Sequence, residues 1–332
     1  MSRSKYITTT LCLLLLVLLL ALADLALGSV SLWSPGTDDA IFSTILYDIR
    51  LPKTLTCLVA GSSLALCGLL LQSLFRNPLA GPYVLGVSSG ASLFVAIATM
   101  LLTSVNISGV FFAGKAIVTL YSVAGAFFVT LIILAISKRT KSNVTILLVG
   151  MMLAQVLGAA QGLIEFLSSA DSLKTFVMWS MGSVGSTTLS DLAVIGPLAA
   201  LVILGAFFLV KPMNAILLNE AYAQNLGINV PRLRLQVILI TSLLVGIVTA
   251  FCGPIAFVGI SVPIASRLFF KTSHHLHQMT FCVLLGASVL LAADLLCQLI
   301  SSQFTLPVNT VTTLIGSPVV VYLLFKSKLS IG

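Results

Sequence analysis

The chain has 332 residues, of which 17 are Lys or Arg and 9 are Asp or Glu, so charged side chains make up 8% of it and apolar ones 58%. A soluble globular domain carries about 25% charged residues, and a disordered chain needs low hydrophobicity with high charge; with a mean hydropathy of +1.16, both classes are excluded. What remains is a polytopic membrane protein, whose apolar side chains face lipid as well as one another.

Inside lipid every backbone N–H and C=O must be satisfied within the protein, so only helices and closed barrels cross. A barrel strand shows about ten residues of alternating polarity, whereas residues 11–20 are a nearly unbroken run of Leu. The fold class is therefore an all-α polytopic membrane protein. A crossing needs roughly 20 mostly apolar residues, and that ruler predicts about ten transmembrane helices, over residues 11–30, 51–74, 84–102, 116–137, 145–166, 192–210, 233–251, 254–270, 279–301 and 307–325. The first follows Arg3 and Lys5 and contains Ala21-Leu22-Ala23, which resembles a cleavage site. Its apolar run continues to Leu27, and we read it as a retained helix. The eighth is short and interrupted by Pro254 and Pro263.

Short cytoplasmic loops hold an excess of Lys and Arg. With the amino terminus inside and this set of spans, only Arg50, Lys53, Lys115 and Lys174 of the 17 basic residues fall outside. Both termini are then cytoplasmic. The net charge of +8 reflects topology; basic residues dispersed among loops do not form a nucleic-acid surface.

Motifs that carry catalysis are scarce, and no catalytic, cofactor-binding or metal residue is assigned. Residues 109–115 have phosphate-loop spacing, but Ala116 stands where Ser or Thr would hold magnesium and no strand precedes it. His274, His275 and His277 share one interfacial stretch without the further ligands of a metal cage. The six cysteines lie within or at the ends of spans, with no CxxC pair, and read as small packing residues. Charged groups within spans are expensive and so draw attention. Asp24 and Glu165 sit near span ends; Asp294 is the deepest, with Gln298 one turn on as a hydrogen-bond partner. An ion-coupled secondary transporter, the alternative function, would want several such groups near the midplane. Gly86 with Gly90 and Gly158 with Gly162 have the spacing that lets helix backbones approach.

Two polar islands remain. Residues 75–91 place two prolines and three glycines beside a Ser-rich helix start. Residues 212–231 form the longest expected cytoplasmic loop and contain Asn219-Glu220-Ala221-Tyr222-Ala223-Gln224-Asn225-Leu226-Gly227. Ala221 and Leu226 recur at helical spacing, Gly227 is a stop, and Glu220 is the only acid on that face. A short amphipathic helix docking onto a soluble partner accounts for this pattern.

These islands carry a resemblance. Arg50-Leu51-Pro52-Lys53-Thr54-Leu55, Phe75-Arg76-Asn77-Pro78-Leu79-Ala80, Leu85-Gly86-Val87-Ser88-Ser89-Gly90-Ala91, Leu226-Gly227-Ile228, Gly253-Pro254-Ile255-Ala256-Phe257-Val258-Gly259, Leu285-Gly286-Ala287-Ser288 and Leu314-Ile315-Gly316-Ser317-Pro318 resemble the FecCD family. Its members are permease subunits of ABC importers for cobalamin and iron chelates. The resemblance implies a cobalamin-importer-like permease fold in one transmembrane domain, residues 1–332, with 212–231 as its coupling-helix loop. It implies a bacterial inner-membrane permease dimer, two cytoplasmic ATPase subunits that hydrolyse the ATP, an external substrate-binding protein, and no enzymatic activity of the chain itself. Arg50 and Lys53 match the basic residues that meet acidic side chains of the binding protein. Asn219, Glu220, Ala221, Leu226 and Gly227 match the ATPase coupling helix. Ser142 and Asn143 align with the cytoplasmic gate, although both also suit helix caps. The chain departs from the family at Gln298, where some relatives have a third docking arginine, and at Ile264, where relatives usually have His.

Overall fold

The structure is a computed structural model that describes residues 2–28, 39–83, 85–104, 111–140, 142–300 and 306–329, and those residues contain helices and turns but no strand. The helices are α1 (Arg3–Ala26), α2 (Asp39–Ser43), a π-helical stretch (Thr44–Arg50) running into α3 (Leu51–Phe75), then α4 (Val87–Ser104), α5 (Phe111–Arg139), α6 (Asn143–Leu167), α7 (Ala170–Ser180), α8 (Leu189–Phe207), α9 (Val210–Leu218), α10 (Glu220–Asn225), α11 (Val230–Cys252), α12 (Val258–Phe270), α13 (His275–Ile300) and α14 (Val308–Leu329). Every expected span coincides with one of them. Among the described residues seven helices are long and apolar enough to cross a membrane, and three shorter apolar helices, in α4, α12 and α14, occupy the other expected spans. Val84, Lys141 and the start of the phosphate-loop-like stretch at Gly109 and Val110 lie outside the described residues.

Lipid explains the surface. Only 6% of the apolar window of α1 is buried, against 83% for α3, so α1 presents leucines outward while α3 is enclosed. Phe166 and Phe208 are more than four-fifths exposed, which water would penalise and hydrocarbon does not.

Contacts divide the chain into two compact units. The first comprises Met1–Leu69, Ser183–Phe207 and Ile255–Gly332. Within it α1 lies along α13, and α12 packs on both α13 and α14. Backbones touch where glycine allows it. A Cβ on Gly61 would strike the Gly286 carbonyl of α13, and one on Gly286 would strike that of Gly61. Seven residues along, a Cβ on Gly68 would run into the Gly259 carbonyl of α12. That carbonyl is available because Pro263, four residues on within the helix, has no N–H to donate to it. The start of α12 follows Phe257, at φ 65°, and the Ala256 N–H donates to Asn309 Oδ1 at 2.9 Å. These irregular residues replace the beginning of the span expected from Pro254.

The second unit comprises Leu70–Gly182 and Phe208–Pro254. There α5 packs on α4 and α11, while α6 and α7 pack on α4. Gly90 of α4 and Gly125 of α5 each face the other's carbonyl. Phe176 of α7 buries itself against Val95 and Ala96 of α4. The expected close packing at Gly158 and Gly162 is not made: nothing lies within 4 Å of a Cβ at either position.

Candidate functional site

At the start of α3, proline and the preceding π-helical turn bring Arg50 and Lys53 onto one end of the first unit. Both turn inward. Arg50 is 4% exposed, and its Nη1 donates to the carbonyls of Leu25 and Ala26 at 2.8 and 2.9 Å. These are last-turn carbonyls of α1, without intrahelical donors, where a cation also complements the negative end of the helix dipole. Lys53 Nζ lies 2.8 Å from Asp294 Oδ2 and 3.8 Å from Asp24 Oδ1. Gln298 closes the cluster: its Nε2 donates to Asp294 Oδ2 and to Asp24 Oδ1, both at 2.7 Å. Thr54 Oγ1 donates to Asp24 Oδ2 at 2.6 Å. Asp24 is fully buried. The Asp294–Gln298 bond was legible from spacing; the partnership with Asp24 and Lys53 was not, because it joins α1, α3 and α13.

A second constellation surrounds α10 in the second unit. Asn219 caps the helix, its Oδ1 accepting from the Ala221 N–H at 3.1 Å. At the other end Gly227, at φ 80°, donates to Gln224 O at 2.9 Å while Ile228 donates to Ala223 O at 3.0 Å. This is a Schellman motif, which needs a left-handed residue at that position. Ala223 is buried, whereas Tyr222 and Leu226 are 47% and 58% exposed. Two arginines hold the segment in place. Arg76, at φ 50° in the turn after α3, donates from Nη2 to Ile216 O at 2.7 Å, satisfying a last-turn carbonyl of α9. Arg234 of α11 pairs with Glu220 at 3.7 Å, and its Nη1 donates to Thr140 O at 3.3 Å. Neither arginine was singled out on sequence for such a role. Arg76→Gln removes the charge and leaves an amide two bonds shorter than the Nη2 that reaches Ile216 O, and is expected to lower the unfolding free energy of the purified protein by about 1 kcal/mol; a loss as large as that of a core mutant would contradict a simple terminal contact.

Ser142 is the N-cap of α6 and accepts from the Thr145 N–H at 3.3 Å. The Asn143 side chain lies outside the described residues. Ile264, where relatives usually have His, is buried against Val320 of α14. His275 is buried, while the His277 ring packs against Tyr6 at a tilt of 33°, with centroids 4.3 Å apart. Among the described residues no three His, Cys, Asp or Glu side chains come together as a metal site.

Comparison with known proteins covers nearly the whole chain. Residues 10–326 match the FecCD transport family. The hemin transport system permease protein HmuU of Yersinia pestis is 33% identical over 327 residues, 95% of each chain. The vitamin B12 import system permease protein BtuC of Serratia proteamaculans is 33% identical over 95% of this chain and 93% of its own. Among solved structures, a metal-chelate type ABC transporter in an inward-facing conformation superposes with a TM-score of 0.86 at 28% identity, covering 96% of this chain and 99% of that one. With a match over nearly its full length and relatives a third identical, the chain belongs to the FecCD transport family, as a multi-pass membrane permease of the ABC-importer type.

Proposed function

We propose that the chain is the permease subunit of a binding-protein-dependent importer for an iron chelate, such as a ferric siderophore or haem, or for cobalamin. A single observation carries this reading: relatives named for hemin and vitamin B12 transport align with it almost end to end. Both units belong to one permease domain, and two copies enclose the pathway at their interface. Both termini face the cytoplasm of a bacterium, where two ATPase subunits supply the energy, so the chain itself catalyses nothing. Residues 212–231 form the coupling segment, and the exposed Tyr222 and Leu226 beside Glu220 are the surface α10 offers to an ATPase.

ATP-dependent uptake of hemin or cobalamin by vesicles containing permease, ATPase and binding protein is the expected result; uptake by the permease alone on an ion gradient would establish the secondary-transporter alternative instead. Deleting residues 220–227 is expected to abolish co-purification of the ATPase while leaving the permease in the membrane. Retained co-purification would remove α10 as the contact.

Arg50 and Lys53 as docking residues must exchange internal partners for acidic side chains of the binding protein. Arg50→Gln removes the charge, and because its amide ends two bonds short of the Nη1 that reaches the Leu25 and Ala26 carbonyls, the salt dependence of association is the readout that separates the roles. A docking role predicts weaker, less salt-sensitive association of the binding protein; association with unchanged salt dependence would leave Arg50 only its helix-terminal role.

A further inference from the structure

We propose that Arg234 is the positioning residue that carries movement of α10 to the turn between α5 and α6. This inference rests on the reading of α10 as the ATPase contact and of the Ser142 turn as part of the gate. Its geometry is a three-way junction inside the second unit. Nη2 of the guanidinium lies 3.7 Å from Glu220 Oε1, in the first turn of α10. Nη1 donates at 3.3 Å to the carbonyl of Thr140, immediately after the last residue of α5. The side chain itself rises from α11 and is 5% exposed.

Each arm leads to a defined element. Glu220 belongs to a helix closed at both ends, by Asn219 and by the Gly227 Schellman turn, so a push on α10 moves Glu220 with it. Thr140 belongs to the turn that starts α6: its Oγ1 accepts from the Ser142 N–H at 3.2 Å, and Ser142 in turn caps α6. A guanidinium is a rigid planar fork, so displacement of the carboxylate on one prong changes the contact on the other. A lysine at this position keeps the charge but is a single ammonium that cannot present two fixed prongs.

The test uses the complete transporter, permease with ATPase subunits and binding protein, in vesicles. A Ser142→Cys reporter in a Cys12→Ser background, which removes the one exposed native cysteine, is labelled with a membrane-impermeant maleimide, with and without a non-hydrolysable ATP analogue. Arg234→Lys is expected to reduce the nucleotide-dependent change in labelling rate on the order of tenfold, with ATPase subunits still co-purifying. Glu220→Gln, at a side chain one-third exposed, provides a milder variant should Arg234→Lys fail to assemble, and is expected to show the same loss. Because the two residues act through one contact, the double variant should lose no more than the worse single one. An undiminished nucleotide response in either variant, or additive losses, would overturn the proposal. Loss of ATPase co-purification in both variants would overturn it too, placing the pair in the ATPase contact itself. No nucleotide response in the parent reporter would instead remove the gate reading, and the inference with it.

Discussion

Alanine at Gly68 is expected to be severely damaging, because among the glycines whose surroundings the structure describes its Cβ position lies nearest to another atom, the Gly259 carbonyl oxygen. Its Cβ would occupy the position of the Gly259 carbonyl, and the next nearest atoms are also main chain of Gly259, the carbonyl carbon at 2.5 Å and Cα at 2.9 Å. Overpacking a core typically costs about 1–3 kcal/mol when side chains can give way. Here nothing flexible stands at the contact, so α3 and α12 must separate, and the cost is expected at or above about 3 kcal/mol. The contact has a local cause in the sequence: Pro263 leaves the Gly259 carbonyl without an intrahelical donor, and a glycine on the facing helix brings only hydrogen atoms against it. Gly158→Ala is the matched control. That glycine has nothing within 4 Å of its Cβ position, and alanine is the better helix former by up to about 1 kcal/mol. Thermal unfolding in detergent should show a strongly lowered midpoint for Gly68→Ala and an unchanged or raised one for Gly158→Ala. Equal midpoints would mean that the α3–α12 contact is not tight.

The same pair of glycines marks how far sequence reached into the fold. Spans were legible because hydrocarbon imposes a length of roughly 20 apolar residues, and residues 51–74 and 233–251 were expected within a few residues of α3 and α11. Helix α7 was not, since its 11 residues carry Asp171 and Lys174 and fall below that length. Small-residue spacing proved ambiguous. Gly90 does meet a backbone, Gly158 and Gly162 do not, and the consequential pair, Gly61 and Gly68, sits seven residues apart on one face of α3. Periodicity shows which residues share a face, but the partner that approaches that face is a tertiary fact.

The functional regions divide in the same way. Helix α10 announced itself through short-range chemistry, apolar residues at helical spacing and a Gly stop at Gly227, because such signals act between neighbours in the chain; the Asn219 cap emerged only in the structure. The Arg234 junction joins Glu220 and Thr140, which no local pattern connects. In the first unit, two cations at the start of α3 were visible, but Gln298 and Asp24 are 274 residues apart. Reading the position of Gln298 as a lost docking arginine named the departure from the family and not what replaced it. In this chain the amide at that position takes up both carboxylates, one with each of its hydrogens.

That cluster leads to the second large effect, because it holds two buried carboxylates and one ammonium. Lys53→Met is expected to destabilise the protein by about 3–5 kcal/mol, the range for removing one partner of a buried pair. The loss arises less from the missing attraction than from what is left behind: Asp24 and Asp294 both remain out of water, bridged by a single amide, with the Arg50 guanidinium near Asp24 as the remaining countercharge. Changing Asp294 to Asn in the Lys53→Met background removes one of those charges. The double variant should therefore be more stable than Lys53→Met alone, although it lacks two of the native groups. Asp294→Asn by itself leaves Lys53 with Asp24, now at 3.8 Å, and should cost less than Lys53→Met. Unfolding midpoints of the three variants in the same detergent decide the matter. Additive losses would show that Lys53 and Asp294 do not act through each other, and a harmless Lys53→Met would show that water reaches both carboxylates.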